Sequence, residues 1–277
     1  MDMPPIKKYI PPVPGRFLKA VYLTIRGLYY HGSRYTCPIC GHSFRKMLPG
    51  GFNLPVIKEK HIVGAGRRNN DICPFCQSTD RDRLIYLYLK YETDFFKKPY
   101  NLLHIAPEPS LYHLFSHTKN LQYHPATKYA EGFYYSTKIE TADLLDLHFD
   151  EDSFDWVICN HVLEHIPNDI RAMQEIFRVL KPGQKAILQV PYSPQLEKTF
   201  EDETINTPTE REKYFGQFDH VRIYGRDYPQ RLKKAGFIVH QIRQKKDFKK
   251  ITNIERFAVN PEEILFLCEK PSKTNRL

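Results

Sequence analysis

Two short cysteine motifs carry the most specific chemistry in this chain: CPIC, with Cys37 and Cys40, and CPFC, with Cys73 and Cys76. A Cys-x-x-Cys turn lets two thiolates reach one ion from a single knuckle, and two knuckles complete a tetrahedral sulfur site for Zn2+. Four thiolates leave no open coordination position, so the expected role is structural. Disulfides would need an oxidising compartment, and a redox Cys-x-x-Cys normally comes singly at the start of a helix. Cys159 and Cys268 sit apart, in apolar strand-like runs. Residues 41–72, between the pairs, exceed what a compact zinc ribbon needs, so extra strands or a flexible excursion are expected there.

Histidines and carboxylates form the next candidates. CNHVLEHI places Asn160 and His161 just past an apolar run, followed by Glu164 and His165, which are expected to cap or pack the start of the next helix. Asp219 and His220, in DHVR, have the types of a base with its orienting partner. Adjacent strand residues point to opposite faces, which leaves one of the two a structural role. His220 is the first candidate for a general base and His161 the second. Upstream, LLHIAPEPSL (102–111) reads as a buried strand entering a turn before a helix, where nucleotide-binding folds usually spend glycines. This turn has none. Pro107 and Pro109 pre-order it instead, and Pro109 at the first helical position loses only an N–H that would be orphaned anyway.

These residues need elements to hold them. From Asn101 onward, apolar runs (NLLHIA, NLQYHP, KIETADL, FDWVICN, QKAILQVP, FIVHQI and EILFLCEK) alternate with helical patterns, notably 166–180 and 228–236. Such alternation predicts an α/β fold, a doubly wound and mostly parallel seven-stranded sheet with ligands at the carboxyl ends of its strands. The expected organisation is a module over 1–97, holding a basic amphipathic helix (16–30), the zinc knuckles and a linking helix from about Asp80, then a main domain over 98–277. Packing against the zinc module is the expected role of the first helix, with peripheral membrane contact the alternative. Residues 192–225 exceed a plain connection and suit a lid over an acceptor.

The chain has 277 residues and a net charge of +9. One full core with a small satellite fits that length, and polyanions are plausible partners. Basic clusters at 243–250 and 270–277 are read as solvated surface. No apolar run is long enough to span a bilayer and the start lacks a secretory pattern, so a cytoplasmic location is expected.

The segment 149–191, with DSFDWVICNHVLEHI, FRVLKPG and KAILQVP, resembles class I S-adenosylmethionine-dependent methyltransferases, in particular methyltransferase type 11. The resemblance covers about 100–270 and implies a Rossmann-like methyltransferase fold. EREKYFGQFDHVRIYGRDYPQRLKKAGF further resembles the tail of a bacterial subgroup with paired N-terminal Cys-x-x-Cys knuckles and an APE turn. The implied cofactor is S-adenosylmethionine, whose methionine end carries an ammonium and no phosphate. Glu108 can accept from that ammonium, in a turn that also includes His104, Ala106 and Pro107. Asp143 matches the family acid that accepts from the adenine amino group, with the Leu144 N–H beside it. Asn160 and His161 should face the methyl group. His104 stands where the family has an acid, and the ribose-binding position falls near Ala126, Thr127 or Lys128, with Glu131 the nearest carboxylate.

A small-molecule or glycan methyltransferase is the first expectation. An RNA methyltransferase is the second, since a cysteine-zinc module before such a domain also resembles the bacterial ribosomal RNA guanine methyltransferases. A non-enzymatic binding module on a degenerate domain is the third.

Overall fold

The structure is a computed structural model that describes residues 12–128 and 139–272. Helix α1 (Pro12–Tyr29) leads into β1 (His31–Thr36), which pairs antiparallel with β2 (Ser43–Phe44) around the first cysteine knuckle. The excursion between the knuckles is filled by β3 (Leu48–Gly50), α2 (Pro55–Glu59) and β4 (Arg68–Ile72), with β3 and β4 antiparallel. Helix α3 (Asp80–Tyr91) begins at a capping box: Thr79 and Asp82 satisfy each other's backbone N–H groups.

Each of the seven predicted apolar runs is a strand of one sheet. In chain order come β5 (Tyr100–Ile105), α4 (Pro109–Ser116), β6 (Leu121–Thr127), β7 (Glu140–Thr141), β8 (Phe154–Asn160), a 3-10 turn (Leu163–His165), α5 (Asp169–Val179) and β9 (Leu180–Gln189). A small hairpin of β10 (Phe200–Glu201) and β11 (Arg222–Ile223) brackets α6 (Pro208–Phe215), and α7 (Tyr228–Lys234), β12 (Ile238–Arg243) and β13 (Ile264–Glu269) follow. The spatial order is β12-β13-β9-β8-β5-β6-β7. Strands β5 to β9 run parallel, and β13 inserts antiparallel between β9 and β12. This is the Rossmann-like methyltransferase arrangement that the sequence resemblance implied.

Both faces of the sheet are buried because successive strand residues point to opposite sides. Leu103, Ile105, Val157 and Leu188 meet α5 and α7, while Leu102, Trp156, Ile158 and Ile187 meet α3 and α4. The linking helix α3 is thus part of the main core. Its fully buried Arg83 donates to the carbonyls of Asp71, Ser78, Phe257 and Ala258 at 2.6 to 2.8 Å, joining the second knuckle to the segment before β13.

Two features depart from expectation. Helix α1 does not lay its apolar face on the cysteine module. It touches through its last turns, where Arg26 Nε donates to the Pro74 carbonyl at 2.6 Å and Gly27 lies against Phe75. Phe17 and Leu28 remain 71% and 72% exposed, because the module's small core of Cys37, Phe44, Met47 and Cys73 is already closed by its own strands and Ala258. The excursion also packs against the segment expected as a lid. Val56, Ile57 and Ile62 form a cluster with Phe215 and Ile223, and Val63 and Tyr192 exchange backbone hydrogen bonds of 2.9 and 3.1 Å. No helix among the described residues is long and apolar enough to cross a membrane.

Arg83→Met should lower unfolding free energy by at least about 3 kcal/mol, since it orphans four buried carbonyls. Urea denaturation followed by circular dichroism checks this; an unchanged midpoint would show the clamp to be dispensable.

Candidate functional site

Strand order reverses beside β5: its chain successor β6 lies on one side and β8 on the other. Ligand crevices of open α/β sheets form at such a switch point, outside the carboxyl ends of the strands. The turns after β5 and β8 are built alike. Ala106 (φ 47°) and His161 (φ 55°) both enter the left-handed region. Each keeps its N–H bonded at 2.8 Å to the neighbouring strand, Ala106 to the Ala126 carbonyl and His161 to that of Gln189. Non-glycine residues held at positive φ store strain, a feature that clusters at functional sites.

Glu108 is the N-cap residue of α4, yet its side chain makes no capping bond. It crosses the crevice instead. One oxygen accepts from Asn160 Nδ2, and the other lies 3.0 Å from His104 Nε2. Burial raises the pKa of Tyr123, whose hydroxyl lies 3.0 Å from His104 Nδ1. Asn160 Oδ1 is buried without a hydrogen-bond partner among the described residues. Pro107 is buried beside this junction.

On the far side, Asp143 accepts from Lys128 Nζ at 2.6 Å and from the Leu145 N–H at 3.0 Å, so the amide it holds lies one residue beyond Leu144. The Lys128 hydrogen bond, then that from Leu145, holds its carboxyl below the ordinary range. Leu144 is a core side chain, and Thr127 ends β6 with its carbonyl accepting from Ala142 at 3.1 Å. Glu131 lies outside the described residues.

Beyond Asn160 the polar groups cluster. Glu164 is 1% exposed, and its Oε1 stands 3.5 Å from His161 Nδ1, 3.9 Å from His165 Nε2 and 3.9 Å from His220 Nε2. Arg222 fixes the turn that carries Glu164, donating to the carbonyls of Leu163, Ile166 and Pro167, while the Val221 N–H bonds to the Glu164 carbonyl. Burial pushes the Glu164 carboxyl up, takes His161 well below its ordinary value and brings His220 down to about 3. Asp219 pairs with His165 Nδ1 at 3.2 Å and not with its sequence neighbour His220. Burial opposes both charges of this pair, but their mutual attraction outweighs it, raising His165 and lowering Asp219 to about 2. Glu164 and His165 are therefore central to the cluster and begin no long helix: α5 starts separately, at an N-cap where Asn168 accepts from Arg171. The one-face spacing of His161, Glu164 and His165 was the available signal.

The excursion forms the wall opposite. A Cβ on Gly64 (φ 88°) would sit 3.2 Å from His161 Cε1 and 3.4 Å from Glu263 Oε2. Arg68 bridges Asp80 and Asp71 at 2.6 and 3.1 Å.

The two cysteine knuckles are the same turn twice. Gly41 N–H bonds to the Cys37 carbonyl at 2.9 Å and Gln77 N–H to that of Cys73 at 3.1 Å, and both closing residues have positive φ. The four Sγ atoms lie within 4.8 Å of one another. The separations Cys37–Cys76 and Cys40–Cys73 are 3.6 and 3.8 Å. A tetrahedron with Zn–S bonds of about 2.3 Å has edges of about 3.8 Å, so the donor set fits zinc.

Burial lifts the Glu263 carboxyl to about 7. Its folded pKa exceeds the unfolded value, so this contribution is present below about pH 4.3 and is lost as pH rises towards 7. Glu263→Gln should remove that slope, with stability relative to the parent rising by about 3 to 4 kcal/mol between pH 4 and 8. Denaturation midpoints of both proteins across that range check it.

Residues 112–188 match a family model described as methyltransferase domain. A 2-phytyl-1,4-naphtoquinone methyltransferase from Nostoc punctiforme is 41% identical over 58 residues, 20% of this chain and 25% of that protein. The chain thus spans about a quarter of the length of this curated relative. Among solved structures, the [4+2]-cyclase SpnF is similar with a TM-score of 0.46 at 16% identity, over 72% of this chain and 84% of that one. The YcgJ protein from Bacillus subtilis gives 0.45 at 17% identity, over 68% and 99%. The family match begins within α4 and ends in β9, so this stretch of the Rossmann-like seven-stranded sheet is similar to a methyltransferase domain.

Proposed function

We propose that the chain is an S-adenosylmethionine-dependent methyltransferase for a small-molecule or glycan acceptor, with a structural zinc at Cys37, Cys40, Cys73 and Cys76. The carrying observation is the Glu108 carboxylate, held by His104 and Asn160 across the crevice between β5 and β8. It is an anchored acceptor for the methionine ammonium, in the place where a phosphate-binding turn would offer N–H groups. Asp143 is assigned to the adenine amino group and the end of β6 near Thr127 to the ribose. When bound, the cofactor supplies an electrophilic methyl for in-line displacement, so alignment and exclusion of water provide most of the rate. His161, Asp219 and His220 wall the acceptor side beside Asn160. Burial leaves His161 and His220 poor proton acceptors near neutral pH.

The short match to a relative named for a naphthoquinone favours a small-molecule acceptor. Against RNA, Arg68 of the excursion is spent on Asp71 and Asp80 and is not free for phosphate, which leaves Arg67 as the exposed arginine of the pair. The exposed stripe of α1, with Lys19 beside it, suits peripheral contact with an anionic membrane face.

Glu108→Gln should weaken S-adenosylhomocysteine about tenfold or more, the value of a charge-assisted hydrogen bond. Methylthioadenosine, which lacks the amino acid end, should be indifferent to the change. Calorimetry with both ligands decides: equal weakening would mean that Glu108 holds the turn and not the cofactor. Elemental analysis should find one zinc per chain tied to the thiols and lost from Cys37→Ser.

A further inference from the structure

We infer that Glu164, His165 and His220 form a second metal site, which takes a divalent transition-metal ion on imidazole nitrogen and carboxylate oxygen. The three offer ligand atoms that all lie within 4.8 Å of one another. Glu164 is the reason the cluster needs an occupant. Both of its oxygens are buried, and among the described residues neither makes a hydrogen bond, the nearest ring nitrogen being His161 Nδ1 at 3.5 Å. A buried charge without a partner is costly, and a neutral carboxyl would bury a donor with nothing to receive it. The ring nitrogens of His165 and His220 each stand 3.9 Å from Oε1. That is too far for a hydrogen bond and close to the edge of about 3.4 Å between ligands sharing one ion at 2.0 to 2.1 Å.

The surroundings are those of a ligand shell held in place. Asp219 takes Nδ1 of His165 at 3.2 Å, which turns Nε2 towards Glu164, and a carboxylate on the far nitrogen also raises ligand basicity. Arg222 and the Val221 N–H lock the turn of Glu164 and His165 onto the segment that brings His220. The side chains of His165 and Asp219 are 28% and 41% exposed, which gives an ion a way in.

Donor chemistry sets the class of ion. Two imidazoles and one carboxylate suit Zn2+, Fe2+, Mn2+ or Co2+, whereas Mg2+ and Ca2+ prefer all-oxygen sets. Three protein ligands leave a coordination position open, unlike the closed set of four thiols. A ring nitrogen that holds an ion takes no proton, so ligation gives His220 a role other than general base. The site stands whether or not the chain transfers methyl groups.

The test is a Co2+ titration of the full chain, isolated with its thiolate-bound metal in place. One further equivalent should bind with visible d–d bands and without the sulfur-to-metal charge-transfer band of a thiolate site. Glu164→Gln and His220→Gln should each weaken that equivalent at least tenfold while metal at the four cysteines stays unchanged. Asp219→Asn, which touches no ion, should weaken it about tenfold or more through the orientation of His165. Co2+ should raise the thermal midpoint of the parent and not that of Glu164→Gln. Where near-ultraviolet circular dichroism shows Glu164→Gln or His220→Gln to be unfolded, His165→Gln and Asp219→Asn, whose side chains reach solvent, carry the same comparison. Binding confined to a thiolate signature, or a nitrogen-oxygen equivalent unmoved by every folded variant, would overturn the site.

Discussion

The parallel register of β5 on β8, from Leu102 opposite Trp156 to Ile105 opposite Cys159, is the constraint on which the rest of this molecule depends. It ends both strands at one level, so the turn from Ala106 to Glu108 meets Asn160 and His161. Shifting the pairing by one residue would exchange the two buried faces of the sheet, which the apolar contacts on both sides forbid. The Glu108 bridge, the paired positive-φ residues and the entry into the Glu164 turn all follow from that register.

Arginine serves this protein internally as well as on its surface. Arg83 ties α3 to the second knuckle and to the segment before β13, Arg222 holds the turn that carries Glu164, and Arg231 pairs with the buried Asp169 at 2.6 Å. A guanidinium presents five donors in a rigid plane, so one side chain satisfies several carbonyls that irregular segments leave unpaired. Part of the +9 net charge is therefore structural and does not point to a polyanionic partner.

The cysteine module joins the sheet through polar and apolar seams at once. Its excursion brings Gly64 against His161 and Glu263, and Val56, Ile57 and Ile62 against the segment of Phe215 and Ile223. The wall of the crevice is thus shared between the excursion and the long connection after β9.

The seven strands and the two matched knuckles were legible in the sequence because both are local: alternation and apolar runs report the strand, and a two-residue gap between cysteines reports the turn. The glycine-free turn after β5 was legible too, since proline acts on its own φ. The sequence alone could not say that Asp219 serves His165, that Glu164 lies among three histidines, or that Glu108 is shared between His104 and Asn160. The long-range members of these sets, His165 with Asp219, Glu164 with His220 and Glu108 with Asn160, join residues more than fifty positions apart, and they depend on strand order and on how Arg222 folds one loop over another. The first helix shows the same limit. Its spacing announced an apolar face, but whether that face is covered depends on how much surface the cysteine module has left to offer, and only packing decides that.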